Sequence, residues 1–414
     1  MKILHTVKSY SPLSGGMYEV VRQISKYLSQ KGHSVTIASM RIPDGLRENQ
    51  WNIQIVEFDL SKKGGDKEYQ EYLIGSDFDI VTNFAAQQPM TDLVLPILGK
   101  IRAKKVFVPT GFNAIFSRTH KEYFERMKKW MKEYDLNIFL SNSYQDIDFA
   151  RRNGVSEAQI AIIPNGASSE EFFRNNSVRV RDQLGINEND FLVLHVGSFT
   201  GVKGHYEAIE IFSKAKIDNS TLLLIGNGDT ECSKKVREMS NKLNNSVVFM
   251  SQNKKIIIPD FSREETVSAY QGADVFLFPS NTECSPIVLF EAMAAALPFL
   301  ATDVGNVREI IQWSNGGVLL PTKHNVFLGR GLFDKIKKMT KRHLIRLGVN
   351  LWNPDIHYAK ADIDGSVKVL EEMYSDPGKR ARLGENGRNS WLKNFTWEKI
   401  AGEYEKVYRK LLMP

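Results

Sequence analysis

Cysteine is nearly missing from this sequence: Cys232 and Cys284 are the two present among 414 residues. Two thiols cannot build a disulfide framework or a four-cysteine metal site, which removes the small stapled secreted classes. Long apolar runs are missing too. A membrane-spanning helix needs about 20 apolar residues, and the most apolar stretch, FEAMAAALPFLA, is broken by Glu291 and Pro298. The opening MKILHTVKSY has no extended apolar region and reads as a strand rather than a signal peptide. A cytoplasmic setting is therefore expected, and the N-x-S/T triplets at Asn175, Asn219, Asn244 and Asn394 are read as chance matches. Several chemistries also lack their motif. There is no H-E-x-x-H, no Walker A and no C-x-x-C, and GNGDTE lacks the third glycine of a dinucleotide fingerprint. No internal repeat and no low-complexity tract is found.

What is present is a regular alternation. KILHTV, SVTIAS, NIQIVEF, DIVTNF, KKVFVP and NIFLS are strand-like, with helical or irregular stretches between them. A turn-rich boundary at 165–190 follows, and then FLVLHVG, TLLLIGNG, SVVFM, ADVFLFP and PFLAT alternate with helical segments. The length suits two domains, and the alternation implies an α/β class with two parallel, doubly wound sheets. The boundaries read as 1–185 and 186–395, with a terminal amphipathic helix over 396–414.

The formal charge of +7 conceals an uneven distribution. Residues 100–132 carry ten Lys and Arg against Glu122 and Glu125, and residues 323–346 carry eight against Asp334, so the rest of the chain is net acidic. The second basic stretch lies in an apparent insertion over about 323–357.

Three places offer chemistry. Gly15-Gly16 sits between the first strand and its helix, where glycines admit a ligand and free N–H groups favour an anion; taken alone, a simple tight turn is the plainer reading. Lys203 follows the strand FLVLHVG, at the edge where open α/β sheets bind ligands. Glu283 follows ADVFLFP in the loop, with Ser285 and Pro286 reading as a helix start and Pro286 as its first residue. Glu291 comes eight residues later, flanked by Leu289, Phe290, Ala292 and Met293, so it reads as a partly buried charge rather than a solvated helix-end carboxylate, and such a charge needs a partner.

Taken together, the E-x7-E pair, the strand-K-G element, the GG loop and the Pro164-Asn165-Gly166 turn resemble the retaining family 4 glycosyltransferases of GT-B fold, over nearly the whole chain. The resemblance implies two Rossmann-like domains facing across a cleft, acceptor on the first, nucleotide sugar on the second, and a last helix crossing back to the first. It implies that Glu283 meets the donor sugar and Glu291 the ribose. Lys203, Gly15, Gly16 and the backbone at Ser285, Pro286 and Ile287 would hold the diphosphate. Gly226 and Gly228 would lie near the base. It further implies retention, no metal and no bound cofactor, with a UDP- or GDP-linked sugar as co-substrate. Three positions depart from the pattern: Ser198 replaces an arginine, Thr110 replaces a histidine in Thr110-Gly111-Phe112 at the sugar pocket, and Cys284 replaces a glycine.

The segment 113–134 reads as one amphipathic helix, with Phe116, His120, Tyr123, Met127, Trp130 and Tyr134 on one stripe. Arg118, Lys121, Arg126, Lys128 and Lys129, with Trp130, suit an anionic membrane surface. Packing of the stripe on the sheet is an equal reading. No nucleic-acid recognition module is found. The expected activity is sugar transfer to a lipid-linked or surface-glycan acceptor, cytoplasmic and peripheral to the membrane. A soluble acceptor, or a sugar-nucleotide-binding protein without catalysis, are the alternatives.

Overall fold

The computed structural model describes residues 1–11, 15–41, 51–112, 114–115, 117–173, 179–324 and 359–413. The first domain holds β1 (Lys2–Val7), β2 (Ser34–Met40), β3 (Gln54–Phe58), β4 (Ile80–Phe84), β5 (Lys104–Val108), β6 (Leu136–Phe139) and β7 (Ile160–Ile162). The second holds β8 (Phe191–Val196), β9 (Ser220–Ile225), β10 (Lys254–Ile257), β11 (Val275–Phe278), β12 (Phe299–Thr302) and β13 (Gly317–Leu320). The sheets run β3-β2-β1-β4-β5-β6-β7 and β10-β9-β8-β11-β12-β13, with parallel pairing throughout. Both are Rossmann-like, and the order reverses between β1 and β4 and between β8 and β11. The central strands IVTNF and STLLLI are buried along their whole length, as strands covered on both faces must be.

The chain crosses between domains near Gly166. A Cβ there would sit 2.5 Å from the Phe395 carbonyl, and Ala167 bridges to Thr396. Two short helices on the first-domain side of the boundary at 185, Ser169–Phe172 and Val180–Leu184, both lie on the helix Arg263–Gly272 of the second domain. The last helix, Trp397–Leu412, returns to the first domain and packs along Gly16–Gln30. Tyr408 anchors it, with its hydroxyl 2.6 Å from Thr82 Oγ1 beneath β4.

Two local expectations need correction. SVVFM is not a strand. Ser246 accepts from the Phe249 N–H and starts a short helix, Val247–Ser251, in which Phe249 alone is buried. The strand beside β9 is KKII instead, since Lys254 turns inward to donate to the Phe212 and Ala215 carbonyls. The helix read over 113–134 spans only Lys121–Glu133, after a 3-10 turn at Arg118–His120; Asn113 and Phe116 lie outside the described residues. Two further strands, β7 and β13, were not read from the sequence. The antiparallel pair Thr322–His324 and Ala359–Ala361 brackets the insertion, and residues 325–358, with most of the second basic segment, lie outside the described residues.

Candidate active site

The loops leaving β8 and β11 meet at the switch point of the second sheet. Gly204 makes the meeting close: it is left-handed at φ 81°, and a Cβ would sit 2.2 Å from the Pro279 carbonyl oxygen. No other residue fits both the conformation and the space. As a result Lys203 stands against Glu283, with Nζ donating to Oε1 at 2.8 Å and Oε2 at 2.9 Å. Ser280 Oγ donates to the same carboxylate at 2.8 Å. Glu283 is 7% exposed at its side chain and Lys203 28%, so the pair is shielded on the carboxylate side and open on the ammonium side. Two buried histidines support the loop from below. His205 Nε2–H donates to the Gly197 carbonyl and His195 Nδ1–H to that of Leu277, and burial lowers both rings far enough to keep them neutral.

The Ser285–Pro286 helix start exists, displaced by one residue from the sequence reading. Pro286 is the N-cap, extended at ψ 115°, and Ile287 opens the helix Ile287–Ala294. The N–H groups of Ile287 and Val288 have no backbone acceptor among the described residues, which leaves the anion-binding end available. Ser285 is held from two sides: its carbonyl accepts from Asn165 Nδ2 at 2.9 Å and its hydroxyl from Asn306 Nδ2 at 3.1 Å. Across the cleft, Gly15 caps the helix Gly16–Gln30 at φ 74°, and a Cβ on Gly16 would lie 3.4 Å from Ile287 Cδ1. Two helix starts thus face one another.

Glu291 is 5% exposed, and its partner is Arg263, whose Nη2 donates to Oε1 at 2.5 Å and to Glu171 Oε2 at 2.7 Å. Ser198 is half-buried, with its carbonyl accepting from the Thr200 N–H. Gly226 packs under the same loop, where a Cβ would lie 2.3 Å from the Gly197 carbonyl oxygen, and Gly228 is left-handed at φ 97°.

The first domain contributes the opposite wall. Thr110 sits at φ 56°, a costly conformation for a β-branched residue, followed by Gly111 at φ 90°. The Gly111 N–H donates to Asp146 Oδ2 at 2.9 Å, and a Cβ on Gly111 would meet Tyr144 and Cys284 at 3.0 to 3.1 Å. Tyr144 closes the link by donating its hydroxyl to the Glu283 carbonyl at 2.7 Å. Phe112 does not line this wall. It is fully buried against Phe124 and Phe149, because the turn at Gly111 sends the ring inward.

Burial pushes the Asp146 carboxyl up to about 6 from the ordinary 3.8, against the lowering effect of the Gly111 and Ile147 N–H groups. The folded protein therefore keeps a proton that the unfolded chain has already released. Stability from this group falls as pH rises from about 4 to about 6 and is level above, a change of roughly 3 kcal/mol. Asp146→Asn is expected to flatten that slope, read by urea unfolding at pH 4.5 and pH 7. Parallel pH dependence in both proteins would contradict it.

The helix Lys121–Glu133 buries Phe124, Met127 and Met131, so sheet packing takes the core of the apolar stripe. Arg118 stands in the preceding 3-10 turn. Lys121, Arg126 and Lys129 are exposed on the outer face, Lys128 pairs with Glu125 and Lys129 with Glu133 at 3.7 Å, and Arg126 lies 5.5 Å over the half-buried Trp130 ring. The sequence did not point to Tyr144, Asp146, Arg263, Asn306 or Glu309. The first two had a signal: they follow β6, on the sheet edge where loops carry function. Among the described residues no group of three or more His, Cys, Asp or Glu could hold a metal ion, and no helix is long and apolar enough to cross a membrane.

Comparison with known proteins follows the same division. Residues 14–171 match the family model "Glycosyltransferase Family 4", and 177–339 match "Glycosyl transferases group 1". The chain is 24% identical over 402 residues to the lipopolysaccharide glucosyltransferase WaaG of Escherichia coli, covering 94% of this chain and 99% of that one. It is 22% identical over 254 residues to N-acetyl-alpha-D-glucosaminyl L-malate synthase of Bacillus anthracis, covering 61% of this chain. The chain spans about half of that relative, 54% of its length. The crystal structure of Anabaena HepE in complex with UDP and glucose superposes at TM-score 0.71 with 15% identity, over 99% of this chain and 100% of that one. Two models that together span most of the chain, one on each sheet, agree with the switch-point geometry: the chain belongs to the GT-B glycosyltransferases of the family 4 type.

Proposed function

We propose that this chain is a retaining, metal-independent glycosyltransferase that moves a hexose-type sugar from a nucleoside diphosphate, UDP- or GDP-linked, to a hydroxyl of a surface-glycan or lipid-linked acceptor. The observation that carries the reading is the Lys203–Glu283 pair where β8 and β11 diverge. Sugar hydroxyls take the place of Lys203 on the Glu283 carboxylate, and the released ammonium turns to the diphosphate. Together with the Ile287 and Val288 N–H groups it offsets the charge that grows as the bond breaks. The acceptor oxygen bonds to the anomeric carbon, the bond from that carbon to the diphosphate oxygen breaks, and the hydroxyl proton leaves with the diphosphate on the same face. Ribose hydroxyls meet Glu291, and Gly226 and Gly228 leave room for the base. HepE, of similar fold, binds UDP and glucose, which favours UDP among the donors.

The acceptor side is supported by WaaG, a lipopolysaccharide enzyme aligned along nearly the full chain. Exposed Lys121, Arg126 and Lys129 form a cationic face suited to anionic headgroups, so we place the protein on the cytoplasmic membrane surface. The test is a donor-hydrolysis screen over UDP-, GDP- and other nucleotide sugars, with and without chelator, on anionic vesicles at low and high salt. One donor is expected to turn over with unchanged rate in chelator, releasing an anomer of the donor's own configuration, with salt-sensitive co-sedimentation. Binding of a nucleotide sugar with no turnover of any donor would leave a binding protein instead.

A further inference from the structure

The loop that leaves β11, carries Glu283 and runs on to the helix start at Ile287 is not held by its own domain alone. Two of its carbonyls are bonded by side chains of the first domain. The Tyr144 hydroxyl donates to the Glu283 carbonyl at 2.7 Å, and Asn165 Nδ2 donates to the Ser285 carbonyl at 2.9 Å. Burial pushes the Tyr144 hydroxyl well above its ordinary range, so it keeps its proton and remains a donor. Asn165 is 4% exposed and stands just before the crossing at Gly166. Between these two bonds, the Cys284 carbonyl accepts from the Asn306 N–H at 2.9 Å. Three successive carbonyls of the donor loop are thus fixed in turn by Tyr144, Asn306 and Asn165.

Tyr144 is itself anchored. It closes the loop after β6, and the second domain bonds that loop at three points ahead of the ring. Asn306 Nδ2 donates to the Leu140 carbonyl at 3.1 Å, and Glu309 accepts from the Asn142 N–H at 2.9 Å and from the Ser143 hydroxyl. Asn306 and Glu309 are both buried, where hydrogen bonds are less weakened by water. Asn165 has a different reason to matter. The peptide between Ser285 and Pro286 is planar and carries no N–H, so its carbonyl is the one polar group by which that plane can be oriented.

We infer that Tyr144 and Asn165 are positioning residues for the transfer. Tyr144 sets the peptide from which Glu283 reaches the donor sugar. Asn165 sets the peptide that aims the Ile287 and Val288 N–H groups at the diphosphate. The inference rests on the glycosyltransferase reading and adds to it two first-domain side chains that act on the donor. Their effects should separate, because one adjusts the sugar end of the loop and the other the phosphate end.

The test measures donor hydrolysis by the full chain and, by titration calorimetry, the binding of UDP and of GDP. In Tyr144→Phe, which removes a single oxygen, kcat is expected to fall about tenfold while the nucleotide Kd stays within about twofold. In Asn165→Ala the nucleotide Kd and the donor KM are expected to rise about tenfold, while kcat falls by less than about threefold. Should Asn165→Ala fail to fold, Asn165→Ser, still polar but too short to reach the carbonyl, carries the same expectation. A merely structural role would lower Tm and move kcat and Kd together in both variants. That result overturns the inference, and so does a normal kcat in Tyr144→Phe or a normal nucleotide affinity in the Asn165 variant. Each of these leaves the transferase reading intact. Absence of turnover of every donor by the unaltered chain would strike that reading instead.

Discussion

Lys203→Ala is expected to lower kcat for donor turnover by about 10²–10³, equivalent to roughly 3–4 kcal/mol of transition-state stabilisation. Among the described residues the ammonium is the one side-chain cation hydrogen-bonded to the Glu283 carboxylate, and Ser198 adds no charge beside it. The diphosphate gains charge as it departs, so an interaction with Lys203 strengthens along the reaction and acts on kcat more than on KM. Removing the lysine has a second effect that must be separated from the first. Glu283 is buried and would keep only the Ser280 hydroxyl, so part of the loss would be a misplaced carboxylate. Lys203→Ala combined with Glu283→Gln removes that unpaired charge. If the double variant recovers stability in thermal unfolding but turns over more slowly than Glu283→Gln alone, the ammonium acts on the diphosphate. Turnover equal to that of Glu283→Gln would show that Lys203 merely balances Glu283.

Gly204→Ala is expected to destabilise the second domain by about 3–5 kcal/mol. A left-handed alanine costs of order 1 kcal/mol by itself. The larger part is the clash, because the added carbon would lie 2.2 Å from the Pro279 carbonyl oxygen and 2.9 Å from the Ser280 nitrogen. Those atoms are backbone, so relief requires the two loops to part. Parting them also separates Lys203 from Glu283, and activity should fall further than stability alone accounts for. Thermal unfolding should show a drop of roughly 10 °C. Gly201, left-handed at φ 81° in the same loop but with open space around its Cβ, provides the control. Equal losses at 201 and 204 would mean that φ, not the loop contact, sets the cost.

How far the sequence foretold this site depends on the range of the interaction involved. Strand alternation is local, so most strands of both sheets and the positions of Lys203 and Glu283 could be placed from the residues alone, whereas the edge strands β7, β10 and β13 could not. The burial of Glu291 was legible from its apolar neighbours, and so was its need for a partner. That the partner is Arg263 was not, because 28 residues separate them and only the packed sheet brings them together. Val247–Ser251 reads as a strand by composition, and only the Ser246 cap and the claim of KKII on the sheet edge turn it into a helix. Phe112 stood in a motif, but a motif does not say which way a ring turns after a left-handed glycine. Tyr144 and Asp146 join Gly111 to Glu283 across the domain boundary, and no spacing within one chain segment encodes such a link.

The helix Trp397–Leu412 has a consequence for how the chain is made. It covers the face of Gly16–Gln30, the helix whose start opens on the cleft, and it buries Tyr404 and Tyr408 against the first sheet. During synthesis from the N-terminus, the first domain emerges with that face bare, and it stays bare until the whole second domain has left the ribosome. Throughout that interval the Gly15-Gly16 loop rests on a helix with one side unsupported. Assembly of the cleft is thus tied to residues 397–412, which are made after both sheets, and a chain interrupted before them would carry both sheets yet present no finished wall to the nucleotide sugar.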